Sequence, residues 1–191
     1  MNDSGQSPEP RLDSWVGQVL SFWFSDLDEA DWWKKDPALD EKIRSRFLGV
    51  HERLVESGAI EVTRPRPILA AVIVLDQFSR NMFRDTPRAY ATDPIARRLA
   101  REAITQGYDQ GMRAEERMFL YLPFEHSEDR ADQELSVELF SRLGRDDWTR
   151  FAIAHKVIID RFGRFPHRNA VLGRVSSPEE IEVMRQPMGS F

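Results

Sequence analysis

Apolar residues recur along this chain at the three- and four-residue spacing that lines one face of a helix, and no segment alternates convincingly as a strand. Val16, Val19, Leu20 and Trp23 form the stripe of a first helix, with Asp13 as its expected N-cap. Asp36-Pro37 joins a capping acceptor to a residue whose fixed φ suits the first helical turn. The helix it opens carries Ile43, Phe47, Val50 and Leu54 and stops at Gly58. Residues 68–78, after Pro65 and Pro67, are apolar all round, which predicts a buried central helix. Asp93-Pro94 repeats the start signal, and Gly107 closes that helix.

Residues 114–122 predict a shorter helix ended by Pro123. Ser127 is the expected cap of the next, with Glu128 and Asp129 at the positive end of its dipole. Its stripe is Ala131, Leu135, Leu139 and Leu143, before Gly144. Trp148, Phe151, Ala152, His155, Ile158, Ile159 and Phe162 mark another face, ended by Gly163. Ser177-Pro178-Glu179-Glu180 reads as a capping box that starts a last short helix. The connections are short, so neighbouring helices are expected to pack antiparallel. The predicted fold is all-α, with antiparallel helix pairs forming an array or bundle in a single domain over residues 12–191, behind a disordered tail at 1–11.

Composition narrows the function classes. A net charge of −5 argues against a general nucleic-acid binder, which carries a basic footprint. The absence of cysteine excludes disulfides, thiolate catalysis and Cys-based metal sites. Residues 1–11 are polar and contain Pro, unlike a signal peptide, and the longest apolar run, residues 68–75, is too short to cross a bilayer. The expectation is a cytoplasmic protein with no nucleic-acid or membrane partner. Nothing in the sequence calls for a cofactor or fixes an oligomeric state.

Two helix ends echo each other. Residues 73–80 (IVLDQFSR) match residues 157–164 (VIIDRFGR), each an aliphatic run that turns polar and ends on Arg80 or Arg164. Arginine at a helix C-terminus complements free carbonyls and the negative dipole end. The sharper expectation is that both ends point into one shared cleft.

Three polar clusters sit beside aromatic or Pro residues able to fix them: Asp76-Gln77-Phe78-Ser79-Arg80-Asn81 with Arg84; residues 123–134 around Glu125, His126, Ser127, Glu128 and Asp129; and residues 161–169. The stretches LDQFSRNMFRDTPRAYATD, FLYLPFEHSEDRADQELSV and RFGRFPHRNAVLGRVSSPEE, with the earlier FWF and WWKKDPALDEKIRSRF, resemble the signatures of the bacterial family DUF924 over nearly the whole chain after the tail. The resemblance implies a helical fold similar to tetratricopeptide-like arrays and carries no established activity. Ser79 stands where the family's Q-F-P-R-N stretch implies Pro, a departure expected to loosen that turn.

The clusters allow several chemistries. A metal reading would recruit His126, Glu128, Asp129 and Asp132, with His155 or His167, but there is no H-E-x-x-H and no E-x-x-H pair at helical spacing, so no metal is expected. A nucleophilic reading would use Ser127 with His126 or His167, but adjacent side chains rarely meet in triad geometry. His155, on an apolar stripe, reads as a satisfied core histidine, and Trp15, Trp23, Trp32 and Trp33 read as core or lid.

The preferred expectation is a site for a small anionic ligand or a peptide carboxylate. It is built from Asp76, Gln77, Arg80, Asn81, Arg84, Arg161, Arg164, His167, Arg168 and Asn169, because guanidinium forks match carboxylate and phosphate geometry. Two alternatives stand beside it. One is a hydrolase-like enzyme using His126 or His167 with a neighbouring carboxylate such as Glu128 or Asp129. The other is a salt-bridge lattice that holds helices together without a ligand.

Overall fold

The central segment of the chain is surrounded on all sides, and the rest of the architecture follows from covering it. A computed structural model describes residues 15–186; Asp13 and the tail at 1–11 lie outside the described residues. Among the described residues every regular element is helical. In chain order they are α1 (Trp15–Phe24), α2 (Glu29–Trp32), α3 (Pro37–Glu56), α4 (Pro65–Val72), α5 (Ser79–Met82), α6 (Asp93–Thr105), α7 (Ala114–Glu125), α8 (Arg130–Ser141), α9 (Asp146–Phe162) and α10 (Pro178–Val183). Short 3₁₀ turns lie at Pro87–Ala89, Tyr108–Gly111 and Pro166–Arg168.

Ile68, Leu69, Ala70, Ala71, Val72, Ile73, Val74 and Leu75 are all fully buried. A helix apolar on every side must be enclosed, and α4 is covered by α1, α6 and α7. Phe22, Phe47 and Phe78 meet in one aromatic knot, Phe47 and Phe78 with ring centroids 4.8 Å apart. Trp23 packs edge-on against Phe78 and Phe119, and Trp32 ties α2 to α1 by donating from Nε1 to the Trp23 carbonyl. The early tryptophans are therefore mainly core, with Trp33 left half-exposed. Helices α7, α8 and α9 pack successively. A separate small cluster of Ile158, Ile159, Phe165 and Val183 seats the C-terminal segment on α9.

The central segment is not a plain α-helix. Between α4 and α5 the chain widens into a π-turn over Ile73–Phe78, a local over-wide coil that frees carbonyls from the regular ladder. Side chains take over those acceptors. The Leu75 carbonyl accepts from the Ser79 hydroxyl at 2.8 Å and from the Thr92 hydroxyl at 2.5 Å, and Arg80 donates to the Asp76 carbonyl. The Ser79 hydroxyl also lies 3.1 Å from His51 Nε2 and 2.9 Å from Thr92 Oγ1. Ser79 thus ties the turn to α3 and to the start of α6; the expected loosening is not what the hydroxyl does.

Several helix ends lie where the sequence signals put them. Asp36 caps α3 through its side chain, the Ser177 capping box starts α10, and Gly163 closes α9 in the left-handed conformation at φ +67°, which glycine adopts without steric cost. Others moved. Helix α7 runs through Pro123 to Glu125; burial of Leu122 and Phe124 beside it offsets the lost N–H. The cap of α8 is Asp129, whose Oδ1 accepts from the N–H groups of Ala131 and Asp132, not Ser127. Ser127 instead accepts from the Asp129 N–H and donates to Asp132 Oδ2 at 2.7 Å. Thr92, not Asp93, flanks α6, which leaves the Asp93 carboxylate for another partner.

Replacing Ser79 by Ala removes the hydroxyl from this buried knot and strands His51 Nε2. The expected loss, read by urea denaturation, is about 1–3 kcal/mol, the cost of an unsatisfied buried polar group; a change within a few tenths would contradict the structural role.

Candidate functional site

A cavity of about 370 Å³ opens between four pieces of chain: the 3₁₀ turn at Pro87–Ala89, the start of α6, the α7–α8 connection and the 3₁₀ turn at Pro166–Arg168. Its wall includes Tyr90, Asp93, Arg97, His126, Glu128 and Arg168. The π-turn lies behind that wall and presents Asp76.

Asp76 has no solvent exposure. His126 Nδ1 lies 2.9 Å from both of its carboxylate oxygens, Gln77 Nε2 donates at 2.5 Å, and an Arg80 guanidinium nitrogen stands 3.2 Å away. Burial alone would raise this carboxyl's pKa, but the Arg80 guanidinium and the hydrogen bonds from His126 and Gln77 hold it below the usual carboxylate range. Arg80 then reaches on to Asp93 with two parallel hydrogen bonds of 3.0 and 3.1 Å. Such a fork is the strong form of the guanidinium–carboxylate contact.

The ionised Asp76 settles the state of His126. A carboxylate only accepts, so Nδ1 must carry the ring proton and Nε2 becomes the acceptor nitrogen. Burial lowers the pKa of His126; Asp76 opposes that, and Arg80 and Arg168 add to it. The net effect is to hold the His126 pKa below the ordinary imidazole value, and its ring lies on the cavity wall.

Arg168 is the least satisfied charge here. Its side chain is buried, with its guanidinium between the rings of Tyr90 and Phe165 at 4.7 and 4.5 Å from their centroids. Its nearest carboxylate oxygen, Asp93 Oδ2, is 3.7 Å away and is already engaged by Arg80. Its Nε–H is buried without a hydrogen-bond partner. Burial, followed by repulsion from Arg80, brings its pKa down to about 10.

A second pair lies deeper. Glu125, fully buried, has Oε1 3.2 Å from His155 Nδ1, which also lies 2.9 Å from the Phe151 carbonyl. The other carboxyl oxygen, Oε2, has no hydrogen-bond partner. Burial, with Asp76 nearby, pushes the Glu125 pKa up to about 8, and burial pushes His155 well down. The His155 ring stands 6.2 Å from that of His126.

The structure sorts the sequence candidates by where their partners are. Asp76, Gln77, Arg80 and Arg168 converge with His126. Asn81 and Arg84 turn instead to Asp40 on α3, at 2.7 Å each. Arg164 forks onto Glu180, and Asn169 donates to Ser176 and Glu180. Arg161 is exposed over the Phe162 ring, and Asp160 pairs with Lys156. The cavity takes Arg168 and Leu172 from the C-terminal segment and none of residues 160–164. The two echoing ends therefore do not share this cleft: one is buried in the π-turn, the other is partly on the surface. His167 packs beside Phe165, with burial lowering its pKa to about 3. Glu128 is held by Arg174 and by the Phe165 N–H, while Asp129 is spent on its helix. Among the described residues, no three acidic or histidine side chains are grouped to hold a metal.

Tyr90, Thr92 and Arg97 carry no sequence signal of a place near the cavity; Asp93 reads as a helix start, and Glu125 lies in the second polar cluster with nothing to mark its burial.

A profile of the family described as "Bacterial protein of unknown function (DUF924)" matches residues 19–188. The fold is similar to a solved structure of a protein of unknown function from Agrobacterium tumefaciens, with TM-score 0.85, 38% identity, and coverage of 90% of this chain and 97% of that one. No curated protein matches the chain.

Glu125 makes a pH-dependent prediction. The unfolded chain releases this proton near the ordinary value of 4.5, while the folded protein keeps it up to about pH 8. The folded state binds the extra proton between those limits, so this group's contribution to stability falls as pH rises through them. Glu125→Gln, which mimics the protonated acid, should match wild type at pH 4.5 and exceed it by more than about 1 kcal/mol at pH 8, roughly the value of one pKa unit. Equal stabilities at both pH values in denaturation curves would contradict a proton held there.

Proposed function

The chain belongs to the DUF924 family of bacterial proteins of unknown function, and from that premise we propose that it binds a small carboxylate- or phosphate-bearing molecule in the cavity beside His126. Arg168 carries the reading. Its guanidinium is buried, its Nε–H has no partner and no carboxylate lies closer than 3.7 Å, which supports an oxyanion as its occupant. Leaving such a group unpaired costs free energy that a bound oxyanion would recover.

The surrounding chemistry supports the same occupant. Tyr90 and Phe165 hold the guanidinium plane in place, so little side-chain freedom is lost on binding. Arg97 stands on the same wall, with its Nε 3.1 Å from Asp132. The cavity volume lies at the lower end of the range for small-molecule sites, which suits a metabolite or the terminal carboxylate of a peptide better than a longer segment. By contrast, Arg84 and Arg164 have well-formed carboxylate partners and act as ties between helices. No helix among the described residues is long and apolar enough to cross a membrane; with the acidic net charge, this supports a cytoplasmic small-molecule binder over a nucleic-acid or membrane partner.

Inorganic phosphate and succinate are suitable probes in a thermal-shift titration. At 100 times its dissociation constant a ligand adds roughly 2.7 kcal/mol of stability, so one of the two should raise Tm in a saturable way. Arg168→Met, which fills the same space without charge, should fold and lose that shift. No saturable shift with either anion, or an equal shift in the variant, would reject Arg168 as the anchor.

A further inference from the structure

Asp76 and His126 form a pair that anion binding does not need. An anion site is served by cations, yet the side chain placed on the cavity wall next to Arg168 is an imidazole backed by a buried carboxylate. Both Asp76 oxygens lie 2.9 Å from Nδ1, and Gln77 and Arg80 fix the carboxylate from its other sides. The ring is thereby locked in one tautomer, with the Nε2 lone pair available as a base.

The other candidate groups of the wall are already engaged. Glu128 is paired with Arg174, Asp129 caps α8, and Asp93 is forked by Arg80. The Ser127 hydroxyl donates to Asp132 and accepts from the Asp129 N–H, so it is not offered as a nucleophile. His126 is the base that remains on this wall, and water is the nucleophile.

We propose that the cavity is a hydrolytic site in which His126 acts as general base on water attacking a small carboxylic ester whose separate anionic group is held by Arg168. This rests on the anion-binding reading above. Nε2 takes a proton from water as the water oxygen bonds to the acyl carbon. The acyl–oxygen bond of the leaving alcohol then breaks, its electron pair departs with that oxygen, and the imidazolium returns the proton to it. The products are a carboxylic acid and an alcohol, and the enzyme is unchanged. Asp76 is a positioning residue: it touches no substrate atom, fixes the tautomer and stabilises the imidazolium that forms. Burial lowers the His126 pKa, with Arg80 and Arg168 adding to it against Asp76, and the His155 ring lies 6.2 Å away; a lowered pKa favours the base form.

The test compares 4-acetoxybenzoate, a rigid ester carrying a carboxylate, with its neutral methyl ester, followed by release of the phenol. Wild-type protein should hydrolyse the anionic ester with kcat/KM at least about tenfold higher, one well-placed interaction. His126→Gln, which keeps a donor for Asp76, should lose about 100-fold or more, the usual worth of a general base. Arg168→Met should erase the preference for the anionic ester by raising its KM. Asp76→Asn should lower kcat and change the pH profile, which a purely structural role would not do in a variant of unchanged circular dichroism. Turnover no greater than that of His126→Gln, with a saturable thermal shift by succinate or phosphate still present, would overturn catalysis and leave anion binding standing. Loss of both would overturn both.

Discussion

Asp76 is a carboxylate with no access to water, in a chain that cannot tolerate it there unless every donor around it is in place. Removing an ion from water costs several kcal/mol even after the protein relaxes, and an unpaired one would neutralise instead. His126 from the α7–α8 connection, Gln77 and Arg80 from its own segment, and Asp93 as the further partner of Arg80 together solve that problem. Each solution places an element. The π-turn aims Asp76 and its free carbonyl at Arg80, and Thr92 and Ser79 close the turn against α6 and α3. The α7–α8 connection is pinned by the His126 ring. The central helix is thus held by apolar contact along most of its length and by charge at its polar end.

Satisfying Asp76 leaves a remainder. Arg80 is fully used, Asp93 is nearly so, and Arg168 arrives from the far end of the sequence into a wall where the carboxylates are taken. Paired arginines elsewhere in the molecule show what a structural tie looks like: Arg84 on Asp40, Arg164 on Glu180 and Arg174 on Glu128 all have contacts of 2.6 to 2.8 Å. Arg168 has none of that quality. The difference is one of partners, not of residue type.

The sequence held the helices well and the partners poorly. Helix starts at Asp36-Pro37 and Ser177-Pro178 are legible because capping is local, decided within four residues. The burial of residues 68–75 is legible because an all-round apolar pattern has one physical outcome. Asp76, Arg80, His126 and Arg168 could be named as candidates from their clustering, but not joined, since contacts 50 residues apart leave no mark on periodicity. The echo between residues 73–80 and 157–164 misled for the same reason: similar helix ends carry no information about which neighbour each one meets. The π-turn also escaped notice. Its extra residue is stabilised by hydroxyls at Ser79 and Thr92, and the second of these belongs to another helix start.

The central claim is that the buried Asp76 stays ionised and thereby sets the protonation of His126, and ¹⁵N NMR of the imidazole rings reads this directly. At pH 7 the account predicts a neutral His126 ring with a protonated, pyrrole-like Nδ1 and an unprotonated, pyridine-like Nε2, the latter shifting when an anion occupies the cavity. An imidazolium with two protonated nitrogens, or the opposite tautomer with the proton on Nε2, would contradict it.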